Sequence, residues 1–250
     1  MKQLPLPFGQ HRSFAAEDLL PDASNAEALA WLAAPESWPL GRLALFGPEG
    51  VGKSHMLHIT AAARGWPVLE GGTLRGLPPL PASGLALDDA DQVPDPVALF
   101  HLINLCAEAG HPLLLAGRQP PSRWSDNLGP TRLADLASRL GATSATAVAP
   151  PGDALLAALL EKHFADRQLR TDAGFRAWLL PRLPREAAAV AEAAARLDRA
   201  AMAAQGGQGR HQGGRINRAL ARTCLEPLLS SCDGYVTMPA AASPGGGTLL

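Results

Sequence analysis

GPEGVGKS, at 47–54, constrains this chain more than any other stretch. It fits G-x-x-x-x-G-K-[ST]. The run RLALF (42–46) precedes it, and KSHMLHITAAA (53–63) follows. The first reads as a buried strand and the second as a helix, which is the context this loop requires. The glycines let successive backbone N–H groups curl inward around an anion, and the helix start adds positive potential there. The spacing therefore predicts that Gly47, Pro48, Glu49, Gly50, Val51, Gly52, Lys53 and Ser54 surround phosphate groups, with His55 next on the helix. Lys53 is placed to reach the outer phosphates and the Ser54 hydroxyl to ligate Mg²⁺.

The rest of the chain alternates in the same manner as far as Pro150. Asn25, with Ser24, is a candidate cap for a helix running to about Leu32. WPVLE (66–70), LALDD (85–89), PLLLA (112–116) and TAVAP (146–150) read as further strands. Between them, Asp95-Pro96 opens a helix that Gly110 stops, and 131–139 reads as a short helix. The Pro/Gly-rich stretch 74–84 must be loop. Five strands alternating with helices predict a parallel sheet covered on both faces. After Pro150-Pro151 only helical patterns follow, about four of them, interrupted by QGGQGRHQGGR at 205–215. The expected organisation is a tail at 1–12, an α/β domain at 13–150, an all-α unit at 151–230 and a disordered tail at 231–250.

LALDDAD supplies the partner signal. A phosphate loop works with a carboxylate at the end of a neighbouring strand, which holds Mg²⁺. Asp88 is placed for that, and Asp89 is placed to orient or deprotonate an attacking water. Two arginines stand at telling points. Arg185, in LPREAAA, opens a helix of the all-α unit, and Arg139 ends the helix before the fifth strand. Taken alone, each is better read as one side of a surface ion pair.

Composition excludes several classes. The formal net charge is -1, so nothing pulls the whole chain toward nucleic acid. Residues 1–150 hold 10 Lys+Arg against 14 Asp+Glu, and 151–230 hold 12 against 8, a mild basic bias expected of solvated helical faces. No apolar run approaches the roughly 20 residues of a membrane span. Three scattered cysteines argue against a disulfide framework or a zinc site and fit a reducing cytoplasm. The start, QLPLPF at 3–8, cannot be helical because Pro5 and Pro7 hold their neighbours extended. Leu4, Leu6 and Phe8 either staple this end to its own domain or carry anchors to a partner's groove.

Together SFAAEDLLPDASNAEALAWLA, LALFGPEGVGKSHMLH, LALDDAD, LASRL and PREAAAV resemble the AAA+ module of the bacterial replication initiator DnaA, over roughly 13–230. The resemblance implies a P-loop AAA+ module, a five-stranded parallel sheet flanked by helices and followed by a helical lid. The likeness begins near residue 13 and about 20 residues follow the lid, so a DNA-reading domain of ordinary size is not expected. QLPLPF resembles the peptide with which replication proteins bind the β sliding clamp. A short DnaA-like module with such a tail resembles the Hda-type regulatory branch of the family, which promotes hydrolysis of DnaA-bound ATP together with DNA-loaded clamp and prevents re-initiation.

That resemblance implies roles for single residues. Gln3 would hydrogen-bond at the rim of the clamp pocket, with Leu4, Leu6, Pro7 and Phe8 completing the peptide. Arg185 matches the lid arginine that senses nucleotide, and Arg139 matches the finger that enters a partner's site. Adenine contacts would come from Leu20, with Leu19 and Asn25 beside it. ADP or ATP with Mg²⁺, a clamp partner, a DnaA partner met module to module, DNA reached only through the clamp, and a cytoplasmic location follow from the same likeness. Self-association to a homodimer stays open. The family places a small hydroxylated or acidic residue where LLLAGRQPP carries Gly117-Arg118, and this departure implies weak hydrolysis by the chain itself. The alternative is an autonomous AAA+ ATPase that loads a helicase on single-stranded DNA. Few aromatics (5%) and the lack of a basic run oppose it.

Overall fold

The structure, a computed structural model, describes residues 19–76, 82–124, 134–204 and 216–229. The 3–8 peptide, the 205–215 stretch and the 231–250 tail lie outside them. Five strands form one parallel sheet: β1 (Arg42–Phe46), β2 (Val68–Glu70), β3 (Leu85–Asp88), β4 (Leu113–Gly117) and β5 (Ser144–Ala147). Their order across the sheet is β2-β3-β4-β1-β5. The period of two along each strand divides the leucines between two layers. Leu43, Leu45, Ala86, Leu114 and Ala116 pack toward α1 (Ala26–Ala33) and α2 (Lys53–Arg64). Ala44, Leu85, Leu87, Leu113 and Leu115 pack toward α3 (Pro96–Ala109) and α4 (Ala134–Gly141). A strand buried on both faces is apolar along its length, which is why Leu43–Phe46, after the leading Arg42, and LLLAG show no alternation.

Four helices follow: α5 (Asp153–Asp166), α6 (Ala173–Leu179), α7 (Ala187–Ala204) and α8 (Arg218–Leu229). They enclose their own core of Leu156, Leu160, Phe164, Phe175, Leu179, Val190, Leu197 and Leu225. Ala193 and Ala194 of α7 are fully buried, and their small side chains let α5 and α8 pack closely on either side. Each fully buried leucine or phenylalanine contributes about 1.5–3 kcal/mol relative to an exposed one. No helix among the described residues is long and apolar enough to cross a membrane.

Four local expectations change. β5 spans Ser144–Ala147 instead of 146–150, because it is an edge strand whose register on β1 runs from Leu43↔Ser144 to Phe46↔Ala147. Only alternate residues, Thr146 and Val148, are buried, so an apolar run does not mark it. α4 ends at Gly141 and not at 139. α7 begins at Ala187, which leaves Arg185 and Glu186 in the turn before it. Asn25 stands at the N-cap of α1 without capping it. Its amide instead donates to the Leu20 carbonyl at 3.0 Å, and its Oδ1 accepts the Asp22 N–H at 2.8 Å.

Asp95 and Gly110 bound α3 as the sequence implies. Asp95 Oδ1 accepts the N–H groups of Val97 (3.1 Å) and Ala98 (3.2 Å), and Gly110 takes the left-handed conformation at φ 67°. The bond from Ala98, with those from Gly76 and Val97, holds the Asp95 carboxyl below its ordinary value. A carboxyl with a lower pKa folded than unfolded stabilises above the unfolded value and loses that effect as the pH falls through the folded one. Asp95→Ala is therefore expected to lower the urea midpoint at pH 7. The gap from the parent chain should close as the pH is taken down through the carboxylate range.

Candidate nucleotide site

The loop Gly47–Gly52 leaves the C-terminal end of β1, where the neighbouring strand ends are those of β4 and β5. In an open parallel sheet this end is where ligands bind. The Val148 N–H donates to the Phe46 carbonyl at 2.8 Å, which carries the β5 chain alongside the start of the loop. The Val148 carbonyl then lies so near Gly47 that any β-carbon there would overlap it. Only glycine fits, and the loop is forced to turn over the sheet edge.

Lys53, the first residue of α2, is 8% exposed. Its Nζ donates to the carbonyls of Gly47 at 2.8 Å and Pro48 at 2.7 Å, so the lysine closes the loop on itself. Burial depresses the ammonium's pKa; the carboxylates of Asp88, Asp89 and Asp91 oppose that shift, and Arg118 adds to it. A phosphate entering the loop would replace two neutral carbonyls with charged acceptors, which make hydrogen bonds roughly twice as strong.

The carboxylates come from the end of β3. Asp88 is 6% exposed, and its Oδ1 accepts the Asp89 N–H at 3.0 Å. Asp89 takes a left-handed conformation (φ 48°, ψ 43°), a strained geometry for a side-chain-bearing residue, which ends the strand. Burial, followed by the charges of Asp88 and Asp91, raises the Asp89 pKa. Asp91 Oδ2 accepts the backbone N–H of Arg118 at 3.0 Å, while its Oδ1 is buried with no hydrogen-bond partner. The Ser54 hydroxyl forms no hydrogen bond within the described residues. A hydroxyl and carboxylates are hard oxygen donors that suit Mg²⁺, and the orphaned Asp91 oxygen marks a place short of positive charge. The residues present thus fit that ion, with Ser54 and Asp88 as its holders.

Arg118 follows β4, and Gly117 is the register partner of Phe46, so this arginine emerges beside the loop. Its Nη2 lies 3.4 Å from Glu49 Oε2 on the loop itself. Both side chains are largely exposed, so the pair is worth little and is easily exchanged. The sequence singled out Arg118 as a departure from the family, but nothing in the spacing paired it with Glu49.

The lid reaches the loop through a residue that the motifs did not select. The Glu186 carboxylate lies where a side chain at Gly50 would stand. Arg185 does not fold over the loop here. Its Nη2 pairs with Asp153 Oδ1 at 2.7 Å, at the start of α5. That pair is exposed on both sides, so an incoming phosphate would face a weak competitor for the guanidinium. Leu20 packs on the lid core while Leu19 packs on the sheet core, so this segment bridges the two units. Val51 leans on the sheet core, and His55 lies on the first turn of α2.

Arg139 lies elsewhere. Its carbonyl accepts from Arg42 Nη2 at 3.5 Å and from Thr143 Oγ1 at 2.9 Å, and its guanidinium covers the Phe100 ring at 5.5 Å. Arg42 begins β1, and the phosphate loop follows its end. At about 3.3 Å per residue, the strand alone separates the two by roughly 13 Å. Arg139 is thus at the opposite edge of the sheet from its own loop.

No family model matches the chain, and no curated protein matches it. Solved structures do. Domain III of the replication initiation protein DnaA from Thermotoga maritima superposes with TM-score 0.65 at 14% identity, over 88% of this chain and 98% of that one. The fold is that of an AAA+ module. A DnaA structure bound to AMPPCP and single-stranded DNA aligns with TM-score 0.56 at 15% identity, over 74% of this chain and 64% of that one. The RuvB Holliday junction branch migration motor of Thermotoga maritima aligns with TM-score 0.61 at 17% identity, over 87% and 72%. In this fold the sheet with its loop is followed by a separate helical unit, whose Glu186 lies against Gly50 of that loop.

If this AAA+ loop grips phosphate, Lys53→Ala should weaken fluorescent ATP and ADP analogues alike, by about 10- to 100-fold for the lost charged hydrogen bonds. Arg118→Ala should weaken the triphosphate more than the diphosphate. A fluorescence titration of each analogue against each variant measures both.

Proposed function

We propose that this chain is a nucleotide-binding regulator of replication initiation, of the Hda type. In this reading it holds ADP or ATP with Mg²⁺, binds the DNA-loaded β sliding clamp through 3–8, and promotes hydrolysis of the ATP held by DnaA. The observation that carries it is the complete phosphate loop, with Lys53 and Asp88 at its floor, in a fold that spans 98% of DnaA domain III.

The roles of the residues follow from their positions. Lys53 exchanges the Gly47 and Pro48 carbonyls for phosphate oxygens. Ser54 and Asp88 hold Mg²⁺, which neutralises phosphate charge when bound. Asp89, at the end of β3 beside Asp88, is placed to orient an attacking water, and burial with the charges of Asp88 and Asp91 raises its pKa. Arg118 stands where the family carries a small hydroxylated or acidic residue, and this departure favours a chain that retains its nucleotide instead of turning it over. Arg139, at the far edge of the sheet, is supplied to the phosphates of a neighbouring DnaA module. An arginine given in trans can be worth ~10³–10⁵ in rate.

The clamp contributes concentration. Pro5 and Pro7 hold an extended peptide with Gln3, Leu4, Leu6 and Phe8 as contacts, which lowers the entropy lost on docking. Tethering then lets a weak module-to-module contact act. The place of action is the cytoplasm, and DNA is reached only through the clamp.

Two variants separate these roles. Arg139→Ala should abolish stimulated hydrolysis of DnaA-bound ATP and leave clamp pull-down intact. Gln3→Ala combined with Phe8→Ala should lose the clamp in the same pull-down. Full stimulation by Arg139→Ala would refute the finger role. Tight, salt-sensitive binding of single strands without clamp, together with ATP turnover by the chain alone, would favour a helicase loader.

A further inference from the structure

We propose that His58, Glu70 and Asp88 form a binding site for a divalent transition-metal ion. One ligand atom from each, an imidazole nitrogen and two carboxylate oxygens, lies within 4.8 Å of the others. Ligands sharing one ion at about 2.0–2.2 Å stand roughly 3–4.4 Å apart, so a small contraction completes the set.

Regular elements place all three residues. His58 lies on α2 one turn beyond Ser54, and its neighbour Leu57 is fully buried under the sheet. Glu70 ends β2 and Asp88 ends β3, and the two are direct register partners. Like charges side by side on adjacent strands are destabilising, so this corner gains from a cation. Asp88 is 6% exposed, and the Asp89 N–H at Oδ1 is its one hydrogen bond within the described residues, which leaves the second carboxylate oxygen available. Glu70 is exposed and gives an ion a route in from solvent.

The donor set decides the class of ion. One imidazole with two carboxylates suits Zn²⁺, Mn²⁺ or Co²⁺, whereas Mg²⁺ and Ca²⁺ prefer oxygen alone. Asp88 would then belong to two sites. Where the loop binds nucleotide as proposed above, the ion at His58 competes with Mg²⁺ for Asp88 and sets the two occupancies against each other. This last step rests on the nucleotide reading; the site itself does not.

Co²⁺ is the probe, titrated into tag-free protein stripped of nucleotide and followed by visible absorption and equilibrium dialysis. The parent chain is expected to bind one ion saturably with a Co²⁺ ligand-field band. His58→Ala and Glu70→Gln should each weaken binding at least about tenfold, with circular dichroism unchanged. Absence of saturable binding, or parent-like affinity in either variant, would overturn the site. If His58→Ala fails to fold, Glu70→Gln decides alone, because its exposed side chain leaves the core untouched. No nucleotide is present, so the outcome stands apart from whether the loop binds one.

Discussion

The burial of β1 between β4 and β5 is the constraint from which the rest of this structure follows. A strand hydrogen-bonded on both sides and covered on both faces cannot shift register, so the point where its chain leaves the sheet is set. At that point the Val148 carbonyl leaves room only for Gly47. The loop must turn, and α2 must begin with Lys53 beneath it. The acids at the end of β3 and the arginine at the end of β4 then meet the same loop, because parallel strands finish on one side of the sheet.

The electrostatics of that corner are unbalanced toward acid. Asp88, Asp89 and Asp91 face one buried ammonium, and Arg118 spends its guanidinium on exposed Glu49. The two contacts that occupy arginines near the loop, Arg118 with Glu49 and Arg185 with Asp153, are both exposed ion pairs. Such pairs are worth about 0–1 kcal/mol. The buried contacts of Lys53 are different in kind, since a buried ammonium requires full acceptors. The site therefore combines a firm centre with loosely held cations at its rim.

The sheet also separates two chemistries. Its C-terminal edge carries the loop and the acids, and its N-terminal edge carries Arg42 and Arg139. Arg42 is 4% exposed, and burial, then the neighbouring charge of Arg139, depresses its pKa. Its Nη2 donates to the Arg139 carbonyl at 3.5 Å, and its Nε is buried without a partner among the described residues. The Arg139 guanidinium lies over the Phe100 ring, at the far edge of the sheet from the loop.

Much of this was legible from residue types and spacing alone. Leu43–Phe46 and LLLAG are apolar throughout because both faces are covered. The phosphate loop carries its own glycines and lysine, and Asp95 with Gly110 punctuates α3 by local hydrogen bonding. Those are short-range effects, and the chain expresses them in consecutive residues. Position across space is different. Only tertiary structure decided that β5 starts at Ser144, because an edge strand takes its register from β1 and not from its own apolar content. The same holds for Arg185 meeting Asp153, for Glu186 lying on Gly50, and for His58 sharing a corner with Glu70 and Asp88. Each joins residues from different elements, and no local pattern records a contact that exists only once the sheet and the lid have packed.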